Sequence, residues 1–142
     1  MGRLLLVWVH VTAAAVWAGG LLYAGHLVLP GLARGERSYA GLLRRGRVIS
    51  AAALGLLVVT GLLNWALLGL RSYWLMGKLL LLLVLVPLAV HRDFGLLPGA
   101  LGEIERGREP RASLSGVRAL DRAVVLLALV ILFLAVGVAR GR

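Results

Sequence analysis

Four long apolar runs alternate with short charged blocks along this chain. They extend from about Leu4 to Pro30, from Val48 to Leu70, from Tyr73 to Val90 and from Ala119 to Ala139. A kink at Pro87 lets the third continue to about residue 92. A helix needs about 17–25 apolar residues to cross a hydrocarbon core, and every run meets that length. In lipid each backbone N–H and C=O must find its partner within the segment, so the runs predict helices. The expected fold is all-α: one domain over residues 1–142, built as an integral membrane bundle of four transmembrane helices. The first run has features of a cleavable leader, with Arg3 at its start and the small residues Ala13 to Ala15. Its apolar stretch is far longer than the roughly 7–15 residues of a leader core, so it reads as a span.

The charges between the runs orient the bundle. Arg34, Arg37, Arg44, Arg45 and Arg47 follow the first run; Arg92, Arg106, Arg108, Arg111, Arg118 and Arg122 lie between the third run and the edge of the fourth. Only Arg3, Arg71, Arg140 and Arg142 fall on the other side. The positive-inside rule then predicts an N-out, C-out protein of the cell inner membrane with both long loops in the cytoplasm. The connection between the second and third runs is very short, which predicts that these helices are antiparallel neighbours. A short surface helix is expected around Leu101 to Arg108, within a stretch punctuated by Pro98 and Pro110.

Composition sharpens this picture. Of 142 residues, 61% are hydrophobic, against about 45–50% apolar in a soluble domain. The net charge is +10, but the arginines flank apolar spans and serve lipid phosphates and topology. No basic stripe interleaves with stacking aromatics, so nucleic acid is not an expected partner. The chain has no cysteine, which removes disulfides, thiolate metal sites and thiol catalysis. Its only methionines are Met1 and Met76.

Small residues recur at spacing four in the first span (Ala14 and Ala18, Ala15 and Gly19) and in the second (Ala51 and Gly55). Such faces let helices approach closely in lipid, and they predict a homo-oligomer. Trp8, Trp65, Tyr73 and Trp74 group at the outer level as an interfacial belt.

Ionisable residues at membrane depth are costly and mark candidate sites. His10, Asn64 and Lys78 lie toward the outer ends of their spans, with Thr60 one turn from Asn64; His26 and His91 lie toward the cytoplasmic ends. His10 and His26 are about 24 Å apart along one axis and point roughly 160° apart, so they cannot share one metal. The chain therefore offers an outer group (His10, Asn64, Lys78) and an inner one (His26, His91). All six acids, including Asp93 and Asp121, are expected on the cytoplasmic side, with none placed mid-membrane as a proton relay. No Ser-His-Asp set, phosphate-binding glycine loop or carboxylate pair is evident, so the sequence does not declare an enzyme.

The first span, HVTAAAVWAGGLLYAGHLVLP, places Trp17 seven residues after His10 and Tyr23 six after that. With VTGLLNW in the second span and Trp74 four residues before Lys78 in the third, it resembles the copper-resistance D (CopD-like) membrane family. It is similar also to the HemJ-like protoporphyrinogen oxidases. The resemblance covers the first three spans. It implies heme b held by the first-helix histidine, His10, or copper passage across the membrane. On the residues themselves, Lys78, Arg3 or Arg71 would neutralise propionates, His26 and His91 would hold a second or bis-histidine heme, and His10, His26 or His91 would bind copper. A redox partner or a metallochaperone would follow. Copper(I) prefers sulfur ligands, and Met76 alone qualifies within the membrane. A cofactor-free structural or assembly subunit is the third reading.

Overall fold

The computed structural model describes residues 1–68, 73–108 and 111–140. The connection between the second and third spans, with Arg71, and the terminal Arg142 lie outside these residues. Four helices are long and apolar enough to cross a membrane, and the chain is a four-span membrane protein on that basis. Here they are α1 (Gly2–Ala33), α2 (Ser38–Leu68), α3 (Tyr73–Glu105) and α4 (Arg111–Arg140). Leucines such as Leu4, Leu80 and Leu83, with Phe133, stand exposed on the outside of the bundle. A soluble protein would bury many such residues; a bilayer solvates them.

The helices outrun the apolar segments that predict them. At 1.5 Å per residue, the 32 residues of α1 span about 48 Å, well beyond a hydrocarbon core of about 30 Å. The excess lies mostly at the arginine-rich end. There α3 continues through Arg92 and Asp93 to Glu105, and α4 already begins at Arg111. The segment expected as a separate surface helix is instead the last part of α3, Leu97–Glu105.

The chain is two helical hairpins built by one device. In α1 a π-helical turn, Ala24–Val28, precedes Leu29, Pro30 and Gly31. In α3 a π-helical turn, His91–Leu96, precedes Leu97, Pro98 and Gly99. A proline removes one N–H and its ring presses on the carbonyl four residues back. Those carbonyls belong to His26 and Phe94, and both lie inside the widened turns. Each helix then ends on a glycine with positive φ, Gly35 (φ 89) and Gly107 (φ 72). The backbone bonds are those of a Schellman cap. Glu36 N–H donates to Gly31 O and Gly35 N–H to Leu32 O; Arg108 N–H donates to Glu103 O and Gly107 N–H to Ile104 O.

Packing follows the hairpins. α1 lies along α2 and α3 along α4, while among the described residues α2 and α3 make few close backbone approaches. The expected neighbour pair is thus not the main one: the contact faces, not loop length, set the pairing. The hairpins meet where α4 packs against α1, including the π turn of α1 and the Leu29–Ala33 segment after it. One apolar core joins Trp17, Leu21, Leu54, Leu85, Ala89, Val124 and Ile131 across all four helices. A second, toward the arginine-rich end, joins Val28, Leu29, Leu43, Leu97, Leu101 and Val117.

Candidate functional site

His10 is half-buried on α1 and faces α2. The Thr60 hydroxyl lies 2.7 Å from the Leu56 carbonyl and 3.3 Å from the Leu57 carbonyl, so it donates to backbone. Its oxygen then accepts from His10 Nδ1, 2.9 Å away. This network assigns the imidazole proton to Nδ1 and leaves the Nε2 lone pair free. Thr60 is buried, and a Cβ on Gly61 would stand 3.2 Å from His10 Cε1. Adjacent residues of α2 therefore fix the ring, one by a hydrogen bond and one by leaving room.

Lys78 is half-buried on α3 within electrostatic range of His10, and it forms no ion pair or hydrogen bond among the described residues. Asn64 lies one turn beyond Thr60 and is bonded to neither of them. The other hairpin closes differently at this end. The Trp74 ring packs on Gly137, where a Cβ would come within 2.7 Å of it, and meets Phe133 edge-on at 6.2 Å between centroids. Beyond Ala13, Thr60, Leu85 and Ile131, no described side chain toward this end is buried.

The two inner histidines occupy different surroundings. His26 is exposed, and its Nδ1 donates to the Leu22 carbonyl at 3.0 Å, which again leaves Nε2 free. It lines a cavity of about 530 Å³ between α1 and α4 with Arg118, Asp121 and Arg122. His91 is exposed on α3, and its ring lies against Gly95 of the same π turn. It does not line that cavity.

Between the two apolar cores lies a group that the hydropathy pattern hides. Arg92, Asp93 and Asp121 are each buried, at 3%, 3% and 4% exposure. Arg92 Nη1 donates to Asp93 Oδ1 at 2.8 Å. Arg92 Nη2 stands 2.7 Å from Asp121 Oδ1, an ion pair too far off-line for an aligned hydrogen bond. The two carboxylates, expected at the cytoplasmic side with Asp93 just past the third run and Asp121 at the edge of the fourth, are therefore inside the bundle. A Cβ on Gly25, in the first π turn, would run into the Asp121 carboxylate. That glycine makes room for the acid. The three residues join two cavities: Arg92 and Asp93 line one of about 390 Å³ beside α2, and Asp121 lines the His26 cavity. Their sequence signal was an Arg-Asp pair just before a repeated Leu-Pro-Gly, and an Asp flanked by the buried Val117 and Val124.

Among the described residues, no three His, Cys, Asp or Glu side chains gather as a metal-ligand group. Compared with known protein families, curated proteins and solved structures, the chain has no match.

Proposed function

We propose that this four-span membrane protein binds heme b near the end of the bundle opposite the arginines, with His10 as axial ligand. The observation that carries this reading is the contact between His10 Nδ1 and the Thr60 hydroxyl. A ligating imidazole is oriented by a hydrogen bond from its other nitrogen, and Thr60 supplies that bond while Nε2 stays free. The donor set favours heme over copper. A porphyrin brings four nitrogens, so one histidine suffices. A copper ion held by protein alone needs several donors, and none gather here among the described residues. Beyond Thr60 and Ile131 no described side chain is buried, so the described residues form no closed core at this end that a flat apolar group would have to displace. Lys78 is the charge partner for its propionates. Bound heme would supply a one-electron couple tuned by its ligand and burial.

In this reading the arginine-rich end faces the cytoplasm of the cell inner membrane, both termini lie outside, and the protein exchanges electrons with a redox partner. A homo-oligomer would cover the open end. His26 carries the second reading, because it lines the 530 Å³ cavity, its Nε2 is not used in the bond to Leu22, and Arg118 and Arg122 line the same cavity for propionates.

The test is the visible spectrum of the full chain purified from heme-replete membranes. A Soret band lost in His10→Ala and weakened in Lys78→Ala supports the reading. Loss in His26→Ala with His10→Ala unchanged moves the site to the inner cavity. Copper in place of the band favours copper handling, and neither group favours a cofactor-free subunit.

A further inference from the structure

The cavity beside α2 has the makings of a second binding site, independent of the histidines. It measures about 390 Å³, within the roughly 300–1,000 Å³ of small-molecule sites. Its lining comes from α1, α2 and α3 and divides into two parts. One part is apolar and runs along α1 from Val28 through Ala24 and Gly20 to Val16. That is about 18 Å along the helix axis. The other part is polar and lies where α2 and α3 leave their apolar segments: Arg45, Arg47, Ser50, Arg92 and Asp93.

Three polar atoms of these residues are buried with no hydrogen-bond partner: Nε of Arg47, Nε of Arg92 and Oγ of Ser50. Buried donors are normally satisfied, and all three belong to side chains that line this one cavity. Arg47 and Ser50 are three residues apart on one face of α2. The Arg47 guanidinium is steadied over the Phe94 ring, 5.5 Å from its centroid. Arg92 is held from behind, because its two Nη groups engage Asp93 and Asp121. The charges are three arginines against Asp93 on the wall and Asp121 behind it, which leaves an excess of one positive charge.

The cavity also opens toward the bilayer. Val16, Tyr23, Leu42 and Ile49 line it and are exposed on the outer surface of the bundle. In a membrane protein that surface meets lipid.

We propose that this cavity holds one anionic phospholipid of the surrounding bilayer. The head-group phosphate accepts hydrogen bonds from Arg47, Ser50 and Arg92, and one acyl chain follows the apolar wall toward Val16. Charge-assisted bonds from arginine to phosphate are the strong kind. The donors lie at the depth where the apolar segments end, so a lipid could enter sideways without leaving its leaflet.

The experiment uses the full chain, delipidated in a neutral detergent. Thermal unfolding is followed with added phosphatidylglycerol, with phosphatidylcholine of the same chains, and with inorganic phosphate. Preferential binding to the folded state raises the midpoint. Phosphatidylglycerol should raise it by a few degrees, and the other two should not. Arg47→Gln and Ser50→Ala should each remove most of that shift. Arg140→Gln, at the far end of α4, should keep it. Equal shifts from both lipids would overturn the proposal, as would a full shift from inorganic phosphate. So would an unchanged phosphatidylglycerol shift in Ser50→Ala, the variant least disturbing to the fold.

Discussion

Gly25 and Asp121 should behave as one unit when either is changed. The carboxylate reaches Arg92 only because Gly25 has no Cβ; an alanine there would collide with it. Gly25→Ala must then push Asp121 away from a guanidinium now 2.7 Å distant. Both side chains are about 95% buried, so no solvent replaces the lost contact. An off-line ion pair contributes no more than a hydrogen bond to a charged group, about 1.5–3 kcal/mol. The full cost of about 3–5 kcal/mol for breaking a buried pair does not apply, because Arg92 keeps Asp93. Alanine's greater helix propensity returns up to about 1 kcal/mol. The net expectation is a loss of about 1–2 kcal/mol. Equilibrium unfolding in mixed micelles, run on Gly25→Ala, Asp121→Ala and the double variant, measures it. In the Asp121→Ala background only the propensity gain remains, so Gly25→Ala should cost nothing or stabilise slightly, giving a coupling energy of about 1.5–3 kcal/mol. Equal costs of Gly25→Ala in both backgrounds would refute the reasoning, since the penalty would then come from the turn itself.

Arg92→Gln should destabilise more than Asp121→Asn, by about 1–3 kcal/mol in the same assay, because it leaves two buried carboxylates facing each other without their shared cation. The reverse order would mean that Arg92 is not the centre of the group. Gly137→Val should cost about 1–3 kcal/mol by overpacking against the Trp74 ring, with a change in Trp fluorescence; an unchanged spectrum and stability would remove that contact from the fold. A reporter fused after Arg140 should be active only outside the cytoplasm, and one inserted after Gly35 only inside, since eleven arginines oppose four.

The apolar runs alone determined that this chain is helical and crosses the membrane four times. The reason is local: a segment in lipid has no water to satisfy its backbone, so length and hydropathy leave few alternatives. The repeated Leu-Pro-Gly and the two capping glycines were also written in the sequence, as proline and glycine punctuation at matching places. Their meaning, two hairpins each turned through a π-helical segment, emerged only in the structure. His10 and Thr60 were both visible as polar residues at depth. Their bond depended on the rotation of α1 against α2, which periodicity does not set; equally, no bond joins His10 to Asn64 among the described residues. Arg92, Asp93 and Asp121 were the least legible. Hydropathy ends a span at the first charges, so it assigned them to the loop and the edge of the last span. In the fold they lie between two apolar cores, because α3 and α4 continue past their apolar segments and the three charges screen one another. Charge marks a boundary when it faces water and an interior site when it faces its partner; only the tertiary contacts decide which.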